Sequence, residues 1–430
     1  MHSQMRKIIA IATMVVLLTA TISYTQYATA QMIVQSSGAT FAFPLMDLWR
    51  VQYSEVESNV QFNYQSIGSG GGVKNHIEKL GQFAATDAPL TDAEYNAAPG
   101  TLTIPGMIGA ISMAYNVDGV GGGLNISEEV LCGMFLGDIR NWNDERIRND
   151  NPGVGLPDDI IQTVHRSDGS GTTLAFTNYL TKVCPEWDEQ VGAAKSVPWP
   201  TGIGSPGNEG VAAAITSTPN SIGYVTLAYA FQNDMTVADI QNGDHTNFVP
   251  PSLDTASAAS GSAAFWLPDA EESWRDVDLL ASPGLNSYPI TSFSYIIIHS
   301  DLKELADNHA HAKAVVDMIA WMLTDGQQHS SQLLYVPIAD LVTNIGLDGL
   351  SQITYDGEPL YTGNTSVWAS DVVSDEIGDF INIVTAQYEE GEIDQSTFLN
   401  LMASASELFD LYEGGQITDQ ELSDALDNLS

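Results

Sequence analysis

Apolar and polar positions alternate through Phe62-Asn63-Tyr64-Gln65-Ser66-Ile67, the pattern of a strand. The chain then passes Gly68-Ser69-Gly70-Gly71-Gly72 and enters Val73 to Leu80, whose spacing predicts a helix. The same order recurs further on. Ile160-Ile161-Gln162-Thr163-Val164 is a short apolar run, His165 to Thr172 is a turn with two glycines, and Leu174 to Leu180 reads as a helix. Near the start, Ser37-Gly38-Ala39-Thr40-Phe41-Ala42-Phe43-Pro44 is a small-residue turn before the helical stretch Leu45 to Val51. Ile111 to Tyr115 and Phe293 to Ile298 are further strands. Short strands alternating with helices predict α/β layers, and 430 residues exceed one ordinary domain.

These junctions carry chemistry. The first N–H groups of a helix lack intrahelical acceptors and sit at the positive end of its dipole, so each junction suits a small oxyanion. Arg166 adds a planar fork that matches tetrahedral oxygens. The same stretch also reads as an ordinary strand–turn–helix junction with Ser170 as N-cap and Arg166 in a surface ion pair. The run after Gly68 is no nucleotide P-loop, because Val73-Lys74-Asn75 stands where that pattern needs Gly-Lys-Ser or Gly-Lys-Thr. A plain flexible turn is its alternative. Downstream, Phe83-Ala84-Ala85-Thr86-Asp87-Ala88-Pro89-Leu90 sets one acid in an apolar run.

In chain order, Gly38-Ala39-Thr40-Phe41, Ile67 to Lys74, Thr86 to Leu90 and Arg166 to Thr172 resemble the binding motifs of the periplasmic-type phosphate-binding proteins, the solute-binding components of high-affinity phosphate ABC importers. Asp138 to Asp144, Trp199 to Gly204, Gly207 to Ala212, Ser221 to Val225 and Tyr288 to Ser292 extend the likeness over about residues 35–345. The resemblance implies a two-lobed α/β fold of the periplasmic-binding-protein type (type II) with a hinge. Lobe I would combine 31–112 with 290–350, and lobe II would be 113–289.

The resemblance also assigns roles. Thr40 and Phe41 would offer backbone amides, Thr40 also its hydroxyl, and Ser69 both amide and hydroxyl. Arg166 would make a two-pronged contact, with Asp168 orienting it from behind. Ser170, Gly171 and Thr172 would close the site with helix-start amides and hydroxyls. Ionised Asp87 only accepts, so it needs a proton on the ligand; phosphate carries one near neutral pH and sulfate does not. Leaving buried groups unpaired costs about 1–3 kcal/mol, so such a site rejects the isostere. Gly70 stands where the family usually has serine, which removes a side chain and keeps the amide.

The implied function is capture of inorganic phosphate and delivery to an ABC permease complex, by a monomer that uses no cofactor and catalyses nothing. A phosphatase using Ser170 or Thr172 as nucleophile would need a base or metal cluster. Only His165 is close, and on a strand its side chain opposes that of Arg166. The alternative function is a phosphate-sensing or other oxyanion-binding surface protein whose C-terminal tail docks a partner.

Composition and the ends refine this picture. Arg6-Lys7, the apolar run Ile8 to Leu18 and Ala28-Thr29-Ala30 read as a signal peptide over 1–30, which makes the mature protein extracytoplasmic, at the cell surface or in a periplasm-like space. In that compartment Cys132 and Cys184 are free either to form one disulfide or to stay as two buried thiols. The formal charge of −40 disfavours nucleic acid as a partner and favours solubility in a salty medium. His309-Ala310-His311 falls on different helix faces, and no metal set of familiar spacing accompanies it. After Lys313 there is no lysine or arginine. From Val367 a weak repeat places Tyr388 and Tyr412 in matching helix–turn–helix contexts, so residues 366–430 are expected to form a small acidic helical extension.

Overall fold

The computed structural model describes residues 31–261, 267–361 and 363, isolated positions between 380 and 408, and 418–429. The expected signal peptide lies outside the described residues, as does most of the acidic repeat. Ten strands make one sheet. They are β1 (Met32–Gly38), β2 (Val60–Ser66), β3 (Phe83–Thr86), β4 (Thr101–Asn116), β5 (Gln162–Arg166), β6 (Ile203–Ser205), β7 (Ser221–Thr226), β8 (Thr236–Val237), β9 (Thr291–His299) and β10 (Tyr335–Val336). Their order is β2-β1-β3-β9-β4-β7-β5-β6, with β8 and β10 also paired to β4.

The parallel strands come in two groups. β1 pairs with β2 and β3, and β5 pairs with β6 and β7. Parallel neighbours need a crossover, and helices supply it. The helices are α1 (Phe43–Val56) after β1, α2 (Ser69–Ile77) after β2, α3 (Gly171–Val183) after β5 and α4 (Gly207–Ser217) after β6. α2 and α3 begin earlier than the apolar spacing alone suggests, because small turn residues, Ser69 to Gly72 and Gly171 to Thr173, supply the first turn.

β4 threads both groups. Its residues 101–110 run antiparallel to β9, and 111–116 run antiparallel to β7. Every residue but the last is buried. A strand covered on both faces has no alternation to read, and Pro105 and Gly106 interrupt it further. The sequence pattern therefore exposes only its second part. A register shift between Ser294 and Tyr295 of β9 absorbs Gly106 as an extra residue.

Large aromatic side chains fill the core. Tyr53 of α1 packs on Trp321 of α5 (His309–Leu323), with ring centroids 5.2 Å apart. Around β5 and β7, Phe176 stacks on Tyr224 at 4.5 Å and meets Phe135 edge-on at 4.8 Å. A disulfide joins Cys132, in the helix Glu128–Leu136, to Cys184 at the end of α3. His311 is buried with Nε2 3.0 Å from Ile33 O, whereas the His309 ring faces Tyr355. Thr418 opens the last described helix, Asp419–Leu429, with Glu421 N 3.4 Å from its hydroxyl, and Leu422 and Leu426 of that helix are buried. No helix among the described residues is long and apolar enough to cross a membrane.

Candidate anion-binding site

The residues singled out by sequence lie just past the carboxyl ends of parallel strands. Thr40 and Phe41 follow β1, Ser69 follows β2, Asp87 follows β3, and Arg166 ends β5 just before Ser170, Gly171 and Thr172. Ligands of open α/β sheets bind at such strand ends. The two groups meet there directly. Gly70 N donates to Gly169 O at 2.8 Å. A Cβ on Gly171 would lie 2.6 Å from Asp87 Cβ and 2.7 Å from Ser69 Oγ, so only glycine allows this approach. Gly68, at φ +80°, likewise makes room: a Cβ there would lie 2.4 Å from Asp168 Oδ2.

Arg166 is buried, which rules out the surface-pair reading. Its Nε donates to Asp168 Oδ1 at 2.7 Å and its Nη2 to Asp168 Oδ2 at 2.5 Å. Asp168 Oδ1 also accepts Gly207 N at 3.0 Å. Burial pushes the Asp168 carboxyl up, but the guanidinium outweighs it and leaves the group below its ordinary range. The fork uses one edge of the guanidinium. Nη1 is buried and has no hydrogen-bond partner among the described residues.

Asp87 is a buried carboxylate at the same strand ends. Burial raises its pKa to about 6, against the lowering effects of Ser294, Arg166, Thr172 and Ser69. Ser294 Oγ donates to Oδ1 at 2.9 Å, while Ser69 Oγ and Thr172 Oγ1 each donate to Oδ2 at 3.3 Å. Ser69 Oγ in turn accepts Asp87 N at 3.1 Å.

The amides are partly committed. Ser170 N donates to Lys195 O at 2.9 Å, and Ser170 Oγ caps α3 by accepting Thr173 N at 3.0 Å. Ser170 therefore has only its hydroxyl proton to offer a ligand. Gly171 and Thr172 open α3, where N–H groups have no intrahelical acceptor. Ala39 N bonds Ala85 O, while Thr40 N and Phe41 N have no backbone acceptor among the described residues. The carbonyls of that turn are held from outside: Tyr229 OH donates to Thr40 O at 3.0 Å, and Tyr335 OH donates to Phe41 O.

Sequence reasoning assigned no role to Asn208, Ser294, Tyr229 or Tyr335. Asn208 was visible within Gly207-Asn208-Glu209, and Ser294 within the strand Phe293 to Ile298. The pairing of Tyr295 with Thr86 is what sets Ser294 beside Asp87, and no local pattern encodes it. His165 stacks on Trp199 with centroids 4.6 Å apart, and its Nδ1 lies 2.9 Å from Arg166 O. Among the described residues no group of three or more His, Cys, Asp or Glu is placed to hold a metal ion.

The sheet with its strand-end cluster defines a solute-binding protein, and the chain belongs to the PBP superfamily, whose domain matches residues 24–325, and within it to the phosphate-binding proteins of the PstS family. It is 41% identical to the phosphate-binding protein PstS of Pasteurella multocida over 310 residues, 72% of this chain and 87% of that protein. It is 39% identical to PstS of Xylella fastidiosa over 308 residues, 71% and 81% of the two chains. A solved high-affinity periplasmic phosphate-binding protein with bound phosphate shares the fold at a TM-score of 0.60 and 18% identity, covering 75% of this chain and 99% of that one.

Proposed function

We propose that this protein captures inorganic phosphate between the two strand groups, on the outer side of the membrane, and delivers it to an ABC permease without carrying out a reaction. Arg166 Nη1 carries the reading. A buried charged donor without an acceptor costs about 1–3 kcal/mol or more, and a tetrahedral anion beside it removes that cost. The amides of Thr40, Phe41, Ser69, Gly171 and Thr172 and the hydroxyls of Thr40, Ser69, Ser170 and Thr172 supply further donors.

Asp87 selects the anion. Above about pH 6 it is ionised and accepts only, so the anion must bring a proton. The Ser69 and Thr172 hydroxyls rotate about their C–O bonds. They would turn from Asp87 toward the anion as its P–OH replaces them on the carboxylate. Sulfate brings no such proton.

The two groups would move as lobe I (31–112 with 290–350) and lobe II (113–289), hinged where β4 changes partners at Ala110 and Ile111. Closing would join Thr172 to Asp87 and Gly70 to Gly169. Delivery to a permease is supported by the PstS relatives, and export by the apolar, Ala-ended start of the chain. His165 stands on Trp199 rather than beside a nucleophile, which supports binding over catalysis. The charge of −40 acts at a distance through salt, whereas the donors act at contact, so affinity should hold or rise as salt is added.

Calorimetric titration of residues 31–430 with phosphate and with sulfate, repeated on Asp87→Asn, tests the reading. Phosphate heat without sulfate heat in the wild type, and sulfate heat in the variant, are expected. Ligand-stripped wild type that gives no phosphate heat would overturn it.

A further inference from the structure

Asn208 is fully buried at the second position of α4, a helix whose N-cap, Pro206, has no side chain to cap it. The helix start is satisfied from elsewhere. Gly207 N goes to Asp168, and Asn208 N donates 3.0 Å to Thr40 Oγ1, a hydroxyl from the other strand group. The Asn208 side chain reinforces this. Its Nδ2 donates to Thr40 Oγ1 at 2.9 Å and to Thr172 Oγ1 at 3.2 Å, one for each of its protons. Its Oδ1 accepts Thr226 N at 3.0 Å, which fixes the amide: turned over, it would set N–H against N–H.

A hydroxyl has two lone pairs and one proton. At Thr40 both lone pairs are taken by Asn208, so the Thr40 proton can only be donated. At Thr172 one lone pair is taken and the proton already goes to Asp87. Resting on the phosphate-binding reading, we propose that Asn208 is a positioning residue that sets the direction of the hydrogen bonds in this site. It holds the Thr40 and Thr172 hydroxyls as donors to the anion. Thr40 and Asn208 lie on opposite strand groups, so the polarity is imposed only as these come together. An anion entering the open cleft meets a Thr40 hydroxyl free to rotate; closure commits it.

Asn208→Asp tests the direction with little change of shape. The new carboxylate still accepts Thr226 N but also accepts from Thr40 and Thr172, turning both protons away from the anion. Phosphate titrations at about pH 8 would compare wild type, Asn208→Asp, Thr40→Val and the double variant, with thermal unfolding in the absence of phosphate as a check on folding. The single Asn208→Asp change should weaken phosphate binding about 10- to 100-fold. In the Thr40→Val background, where no Thr40 proton remains to turn, that loss should shrink at least several-fold. The ratio of wild-type to variant affinity should also narrow as pH falls and the new carboxyl takes up a proton. An equal loss in both backgrounds, unchanged with pH, would overturn the proposal. If Asn208→Asp does not fold, Asn208→Ala is taken through the same cycle, with the same non-additivity expected. Wild type that binds no phosphate would sink the functional reading instead, and is told apart in the first titration.

Discussion

Lys195 Nζ lies 2.6 Å from Glu94 Oε1, although the two are 101 positions apart. Glu94 sits in a helix capped by Thr91 next to β3, and Lys195 sits on the loop whose carbonyl holds Ser170 N. The pair thus ties the start of α3 to the opposite strand group. Burial pushes the Glu94 carboxyl up, but Lys195 and the Thr91 cap outweigh it and lower the pKa. A depressed carboxyl contributes above its ordinary value of 4.5 and loses that contribution as pH falls through the folded pKa.

Because the pair spans the cleft, Lys195→Met should speed phosphate release and leave capture unchanged. Partial solvent exposure limits the pair to about 1 kcal/mol, so release should quicken roughly fivefold. Stopped-flow release measurements at neutral pH read this. An unchanged release rate would show that the pair opens no slower than the rest of the cleft.

If Asp87 selects the anion as proposed, it does so at a cost in stability. Its folded pKa of about 6 is raised from 3.8, so its contribution is full below the unfolded value and is lost as pH rises through about 6. At about pH 8 the ionised group destabilises the ligand-free protein by roughly 3 kcal/mol. Asp87→Asn should therefore raise the ligand-free melting temperature at that pH while losing discrimination against sulfate. A lower melting temperature in the variant would contradict the burial argument.

His76 of α2 and His299 of β9 stack with centroids 4.1 Å apart. Burial and then the charge of His299 lower the pKa of His76 to about 3, and burial also lowers that of His299. His76 stays neutral in the fold down to about pH 3 but takes a proton when unfolded below about pH 6.5. Stability should thus fall on acidification from there, with a slope of about 1.4 kcal/mol per pH unit from His76, and His299 adds in the same direction. Denaturant titrations across that range check it, and His76→Gln should flatten the slope.

Gly171 allows the two groups to touch, since a Cβ there would lie 2.6 Å from Asp87 Cβ. Gly171→Ala should hold the cleft partly open and cost about 1–3 kcal/mol in phosphate affinity. Small-angle scattering with saturating phosphate would show incomplete compaction in the variant.

How much of this was legible in the sequence depends on how local the signal is. Thr40, Ser69, Asp87, Arg166 and Thr172 sit at or beside strand–helix junctions whose glycines and hydroxyls are visible locally. Asn208 and Ser294 gain their roles from pairings between segments far apart: Ser294 lies 207 positions from Asp87, and Asn208 lies 168 from Thr40. No window of sequence contains both partners. β4 was half hidden for another reason, because complete burial erases the alternation by which strands are recognised.

That strand also constrains how the chain can change length. β4 pairs with β9 along one stretch, with a single extra residue at Gly106, and with β7 along the next. A single inserted or deleted residue inside it would turn every later side chain to the opposite face and unsettle one strand group wholesale. An insertion would be better borne in the exposed turn just beyond, where a side chain added at Gly121 would meet nothing within 4 Å. New chain ends opened in that turn, with the old ones joined by a linker, would leave both registers whole. Ends opened between Ala110 and Ile111 would sever the one strand that the two groups share.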